Sequence, residues 1–176
     1  MKKSLKIVFG FIGFIYLIVV IIAIACLLKK NDFGYPQFGN KTLLVMEEDS
    51  KETGYKKGDL IILVKPNNSD VKINDGVFFY DTAFKKNTIN YGNVVKSEVI
   101  NEKETTFTIA NKSFSSEFLV GRKDDSTRYA GVGSILNLLI SKWGFFLIII
   151  VPFFIMFIIE LFSIYTEIKY GKKKNN

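Results

Sequence analysis

The sequence predicts a mainly β fold: a small antiparallel β barrel or sandwich with a transmembrane helix at each end. Residues 7–28 and 143–159 are apolar runs without a charged residue. Between them lie six short segments rich in β-branched and aromatic residues, separated by turn residues such as Asn, Asp, Gly and Pro. We therefore expect a cytoplasmic N-terminus and first helix in residues 1–30, an extracytoplasmic β domain in 31–142, and a second helix with a basic cytoplasmic tail in 143–176.

The first apolar run has the length of a transmembrane helix. Its 22 residues, at about 1.5 Å per residue, cover the roughly 30 Å hydrocarbon core of a bilayer. A cleaved signal peptide is the competing interpretation, because residues 23–26, AIAC, have the small side chains of a cleavage site and loosely resemble a lipobox. The run is longer than a signal-peptide core, and Lys29 and Lys30 follow it like a stop signal, so we expect an uncleaved anchor.

The second apolar run contains Pro152 and continues past Glu160 to about residue 165. Proline is tolerated in membrane helices and would add a kink here. The segment before this run has apolar residues at the spacing i, i+3, i+4: Ile135, Leu138 and Leu139. That spacing fits a short helix lying along the membrane surface, and it fits equally an N-terminal extension of the span.

We expect an integral plasma-membrane protein with two spans, and the charge distribution favours a cytoplasmic position for both termini. Lys and Arg number 24 against 17 Asp and Glu, yet residues 31–142 carry 15 of each. The excess lies beside the apolar runs, where Lys and Arg mark the cytoplasmic side. This topology is supported by Lys2, Lys3, Lys6, Lys169 and residues 172–174, whereas Lys29 and Lys30 oppose it. The lipid bilayer is thus the expected partner of the basic residues. A nucleic-acid partner is excluded, because it needs a basic face on the folded domain.

The sequence has no histidine and one cysteine, Cys26. An intramolecular disulfide is therefore impossible, and Ser-His triads and His-based zinc sites are excluded. We expect no cofactor and no metal ion. A lysine can replace histidine as a general base only where burial lowers its pKa toward neutrality.

The middle of the chain is expected to form an antiparallel sheet structure. The six predicted strands are residues 42–46, 60–65, 77–80, 94–100, 105–110 and 118–120. Two of them, 60–65 and 77–80, are apolar without alternation over most of their length, which indicates strands that are covered on both faces. We expect these two to be central in their sheets.

One stretch of the middle region carries a motif. Ser50 lies eight residues before Gly58-Asp59, and the apolar strand Leu60-Ile61-Ile62 follows at once. With an apolar helix before it and another after it, this arrangement resembles the type I signal peptidases, nearest to their endoplasmic-reticulum-type branch. That family has Ser-Met-x-Pro, then Gly-Asp eight residues after the serine, then an apolar strand. The resemblance implies a β domain of the peptidase type and Ser50 as the nucleophile.

The sequence departs from the family pattern at three positions. Lys51 replaces the Met and Thr53 the usual Pro, and Gly92 stands where the family has a His or Lys base in a segment matched by Tyr91-Gly92-Asn93-Val94-Val95. Lys96, four residues after Gly92, would project from the same face of a strand and is the substitute base that we predict. Poorer candidates for the base are Lys51, Lys85 and Lys86.

The family's later acidic residue, which supports the base, corresponds to Asp124 or Asp125 in GRKDDSTRY, and the two acids compete for this role. Around Ser50 itself, Glu47, Glu48, Asp49 and Glu52 oppose both a neutral lysine and a developing oxyanion. The alternative is that Ser50 is an ordinary loop residue that makes a local backbone hydrogen bond.

The resemblance implies a membrane-bound serine endopeptidase that processes the signal peptides of exported preproteins. The missing histidine, Gly92 and the acidic loop favour an alternative, a catalytically inactive homologue that binds signal sequences or a partner peptidase in the membrane. A structural membrane protein with a coincidental Gly-Asp strand is the third possibility. In the peptidase, the preprotein segment before the cleavage site would bind as an extended strand at an exposed sheet edge, with selection of small side chains near the cut.

Overall fold

The computed structural model describes residues 3–81, 88–101, 104–110 and 112–171. Its helices are α1 (Lys3–Leu28), α2 (Val132–Ile140), α3 (Lys142–Phe145) and α4 (Val151–Gly171), with a π-helical segment at Phe146–Ile150 between the last two. Its strands are β1 (Gln37–Phe38), β2 (Lys41–Val45), β3 (Leu60–Val64), β4 (Gly76–Asp81), β5 (Thr88–Val99), β6 (Thr105–Ile109), β7 (Lys112–Ser115), β8 (Leu119–Arg122) and β9 (Thr127–Tyr129). Contacts divide the chain into two compact units, Met1–Ala23 with Leu138–Asn176, and Ile24–Asn137.

The strands of the second unit form two antiparallel sheets. Their orders are β1-β2-β3-β9 and β7-β6-β5-β4-β8. A fold rich in antiparallel strands and flanked by apolar helices is therefore confirmed, although the chain as a whole is mixed in secondary structure. Closure of the strands into a barrel is not shown.

The two predicted central strands, β3 and β4, are central in their sheets and contribute side chains to the core of this unit. β3 lies between β2 and β9, and β4 lies between β5 and β8. Side chains alternate along β4, so Phe78 and Tyr80 pack in one apolar cluster with Ile61, whereas Val77 packs in a second cluster with Phe107. Both faces of β4 are thus buried, which is the reason for its unbroken apolar sequence.

All six predicted strands are present, with ends shifted by a few residues. The largest difference is in β5, which begins at Thr88 rather than at residue 94. Three further strands were not predicted: β1, β7 and β9. They are two to four residues long, which is too short to show a hydrophobic period.

The chain contains two helices long and apolar enough to cross a membrane, over Gly10–Leu28 and Lys142–Lys169, and the first unit holds the first of them up to Ala23 and all of the second. Within this unit Val20 and Ala23 of α1 are buried against Ile149. The Tyr16 hydroxyl donates a hydrogen bond of 2.9 Å to the carbonyl of Ile148. In an α-helix the N–H of residue 152 would donate to the Ile148 carbonyl, but Pro152 has no N–H. The Tyr16 hydroxyl supplies a hydrogen bond to this carbonyl instead, in apolar surroundings.

The segment before the second span is a separate helix. α2 ends at Ile140, and Ser141 has an extended backbone with ψ 152°. The Ser141 hydroxyl donates to the Leu138 carbonyl at 2.8 Å and accepts from the Gly144 N–H at 3.0 Å. One side chain therefore ends α2 and caps α3, so α2 is separated from the second span by a break at Ser141, directly before Lys142.

Candidate functional site

Ser50 lies in a loop that connects β2 to β3 and is closed by backbone hydrogen bonds. The Met46 N–H donates to the Asp59 carbonyl at 3.0 Å, and the Gly58 N–H donates back to Met46 at 2.8 Å. Gly58 has a φ of 83°, a left-handed conformation that glycine adopts without strain. The glycine of the motif is thus explained by the turn that starts β3.

Asp59 fixes this turn to the C-terminal part of the same unit. Its side chain is buried, accepts from the Lys56 N–H at 2.8 Å and from the Gly131 N–H at 3.3 Å, and forms an ion pair with Arg128 at 2.6 Å. The Lys56 hydrogen bond is the largest of the effects that hold its pKa below the ordinary value, and burial opposes them. Asp59 therefore serves as a structural anchor for the loop.

The Ser50 side chain takes part in a tight turn. The Gly54 N–H donates to the Ser50 carbonyl at 2.9 Å, and the Thr53 N–H donates to Ser50 Oγ at 3.3 Å. This is the local backbone hydrogen bond expected of a loop serine. Ser50 as a residue is half-buried, and its hydroxyl is an acceptor in this bond, so the hydroxyl keeps its own proton available to another group.

A cleft of about 650 Å³, which we call the Ser50 cleft, opens beside this turn. Its walls are the end of β2, the loop 47–53, part of β4, the start of β5, Tyr35 and Lys112. β1 pairs with β2 only at Lys41 and Thr42, and β6 pairs with β5 only from Val94 onward. Within the part of the chain that the structure describes, no strand therefore pairs with residues 44–45 on the β1 side of β2 or with residues 88–91 on the β6 side of β5. The backbone of Ile89 is hydrogen-bonded to the Tyr35 side chain.

The predicted base, Lys96, is not among the residues that line the Ser50 cleft. Its side chain is 63% exposed and forms an ion pair with Glu98. A β-bulge lies between Val94 and Lys96, because Val94 pairs with Ile109 and Lys96 with Thr108. One extra residue reverses the alternation of faces, so Lys96 lies on the face opposite Gly92, and the prediction that they share a face is wrong.

Gly92 lies in β5 opposite Val77. A Cβ atom built on Gly92 would overlap Cγ2 of Ile109 on the neighbouring strand. A side chain at this position would therefore have to displace Ile109. The absence of a side chain at Gly92 therefore allows Ile109 of β6 to pack against β5.

The remaining candidates are distributed over the domain. Asp125 forms an ion pair with Arg122 at 2.7 Å, and neither Asp124 nor Asp125 lines the Ser50 cleft. Lys51 does line it, on the same loop as Ser50. Lys85 and Lys86 lie outside the described residues.

Sequence reasoning missed Lys112, the second lysine on the cleft wall. It lies at the start of β7, and its Nζ is 2.8 Å from Asp81 Oδ2 at the end of β4. The Asp81 side chain is only 6% exposed, whereas that of Lys112 is 60% exposed. No local signal could have found this pair, because the two residues meet only through the arrangement of the sheet.

Two tyrosines on the cleft wall have pKa values above the ordinary one. For Tyr35 burial is the main cause of the raised pKa; a hydrogen bond with the backbone of Ile89 opposes it, and the charge of Glu47 adds to it. For Tyr91 burial is again first, followed by the charges of Asp124 and Glu52. Among the residues that the structure describes, no group of three or more His, Cys, Asp or Glu side chains could hold a metal ion.

The geometry thus combines a half-buried serine, two strand edges, an acidic loop and a lysine–aspartate pair around one cleft. Comparison of the chain with family models, with curated proteins and with solved structures finds no match in any of the three.

Proposed function

We propose that this protein is a membrane-anchored relative of the signal peptidases that binds extended segments of exported polypeptides, including signal peptides, without cleaving them. The observation that carries the proposal is the pair of strand edges on the walls of the Ser50 cleft. An extended segment that lies along such an edge gains main-chain hydrogen bonds, and the pockets beside it select alternate side chains.

The chemistry around Ser50 supports binding rather than rapid cleavage. A serine needs a neutral base within hydrogen-bond reach, and Lys96 lies on another surface of the sheet. The carboxylates of the loop would oppose an oxyanion, whose stabilisation is worth about 3 to 4 kcal/mol per fixed donor. A partner peptidase in the membrane would then carry out any cleavage of the bound segment.

The proposed location follows from the charges at the ends of the chain. Lysines beside both apolar helices favour cytoplasmic termini and a β unit on the outer side of the plasma membrane. In this orientation the Ser50 cleft meets polypeptides as they leave the membrane.

Photocrosslinking at two positions tests the binding function. p-Benzoylphenylalanine is placed at residue 50 or, as the matched control, at Lys96, which is exposed but lies off the cleft. Membranes that contain the full-length protein are given a radiolabelled preprotein. We expect crosslinks from residue 50 and few from residue 96. Equal crosslinking from residues 50 and 96 would contradict the proposal. The absence of crosslinks from residue 50 would also contradict it and would favour a structural membrane protein.

A serine endopeptidase is the second candidate function, because Ser50 and Lys112 line the same cleft. It requires cleavage of a preprotein that is lost in Ser50→Ala and in Lys112→Met but retained in Lys96→Met. Ser50-dependent turnover by purified wild-type protein would overturn the non-cleaving function proposed first. Equal background cleavage in wild type and Ser50→Ala would remove the second candidate.

A further inference from the structure

The Ser50 cleft has an excess of negative charge on its described walls. Five carboxylates line it against two ammonium groups. The carboxylates are Glu47, Glu48, Asp49, Glu52 and Asp81, and the ammonium groups are Lys51 and Lys112. Asp81 and Lys112 form an ion pair, so the remaining excess lies on the loop 47–52.

The loop that carries these carboxylates is held in one conformation at several points. The Lys57 N–H donates to Asp49 Oδ1 at 2.8 Å, and the Lys123 Nζ donates to the Glu52 carbonyl at 3.3 Å. The Tyr55 hydroxyl lies 2.6 Å from Ser126 Oγ. These contacts hold the backbone of the loop and the Asp49 side chain, so the carboxylates of Glu48 and Glu52 stay near the cleft although their side chains are exposed.

Acidic side chains on an isolated loop would be ordinary solvated groups. Here they stand beside strand edges, at residues 44–45 and 88–91, that can hold an extended backbone. The charges of Glu47 and Glu52 also act on Tyr35 and Tyr91, which lie on the cleft wall. The negative charge therefore reaches the space that a bound segment would occupy.

We infer that the Ser50 cleft selects extended polypeptide segments that carry lysine or arginine. The inference rests on the proposed function and names the class of segment that the same cleft takes. The strand edges bind the backbone of any extended segment, and the loop carboxylates attract a cationic side chain and repel an anionic one. Part of this attraction is screened by salt, because Glu48 and Glu52 are exposed.

Three matched peptides test the charge selection on full-length protein in nanodiscs of zwitterionic lipid. The probes are fluorescein-labelled twelve-residue peptides of Ala, Ser and Thr with two central lysines, two glutamines or two glutamates. We expect the lysine peptide to bind about tenfold more tightly than the glutamate peptide at low salt, and the difference to shrink at about 0.5 M salt. The double variant Glu48→Gln/Glu52→Gln should lose most of the preference.

The matched control is Glu104→Gln/Glu117→Gln, which removes two exposed carboxylates from another surface of the unit and should keep the preference. Equal affinity of wild type for all three peptides would overturn the charge selection and leave the binding function intact. Failure of all three peptides to bind would overturn the proposed binding function itself. A preference that survives in the Glu48/Glu52 variant would also contradict the inference.

Discussion

At the scale of single residues, position 92 has no room for a side chain because Ile109 on β6 occupies the space. We expect Gly92→Ala to lower the free energy of unfolding by about 1–3 kcal/mol, because the added methyl group overlaps Ile109 Cγ2. Thermal and chemical unfolding of the full-length protein in detergent measures this loss.

The double variant Gly92→Ala/Ile109→Ala provides the control for this prediction. Ile109→Ala removes the overlapping atom, so the double variant should lose less than the sum of the two single losses. Strictly additive losses would show that the two side-chain positions do not compete for space. A histidine or lysine at residue 92 would therefore also require a smaller residue at 109.

Asp59 gives a second residue-scale prediction, on pH dependence. Its pKa is lowered in the folded protein, mainly by the Lys56 N–H and also by Arg128 and the Gly131 N–H. The stabilisation is therefore present above the unfolded-state pKa of about 3.9 and is lost as pH falls through the lower folded value. We expect Asp59→Asn to melt below wild type at pH 7, and the gap between their Tm values to narrow as pH falls below about 4.

The exposed acid Asp32 supplies the comparison for this measurement. Asp32→Asn should melt within a small margin of wild type across the same pH range. A gap between Asp59→Asn and wild type that stays constant with pH would mean that the Asp59 hydrogen bonds act through shape alone and not through charge.

At the scale of elements, the π-helical segment and Pro152 make the Tyr16 hydroxyl structurally important. We expect Tyr16→Phe to destabilise the helical unit by about 0.6 kcal/mol, and by no more than about 1.7. In a Pro152→Ala background residue 152 regains an N–H that can bond to the Ile148 carbonyl, so the same Tyr16→Phe change should cost less. Reversible unfolding in mixed micelles measures both costs, and an equal cost in the two backgrounds would contradict this explanation.

The sequence predicts elements where burial is continuous and fails where placement depends on distant contacts. β3 and β4 are central strands because both their faces are covered, and their unbroken apolar sequences show it. β7 is four residues long and mostly polar, so it has no such pattern. The bulge beside Lys96 also leaves no mark in the sequence, because one inserted residue changes the face of every later side chain without changing composition.

For the candidate site too, the sequence predicts the local features and misses the contacts between distant residues. Ser50 and its spacing to Gly58-Asp59 are local features, and the structure places Ser50 beside a cleft. The pairing of Lys112 with Asp81 joins residues 31 positions apart, and it depends on how β7 lies with respect to β4. Spacing along a strand carries no information about such a contact, which is why the sequence predicts Lys96 as the base and gives no indication of Lys112.

At the scale of the whole molecule, the proposal depends on the side of the membrane that the β unit occupies. An exported polypeptide can reach the Ser50 cleft only from the outer side. The two apolar helices by themselves are compatible with either orientation. Lysines beside both helices favour cytoplasmic termini, whereas Lys29 and Lys30 after the C-terminal end of α1 oppose this assignment.

Cysteine labelling decides the orientation, because Cys26 is the only cysteine in the chain and is buried. In a Cys26→Ala background, a cysteine replaces either the exposed Lys72 of the β unit or Asn175 of the basic tail. A membrane-impermeant maleimide should label Lys72→Cys in intact cells and Asn175→Cys only after permeabilisation. The reverse pattern would place the cleft in the cytoplasm, where its cationic ligands would have to be segments that have not yet been exported.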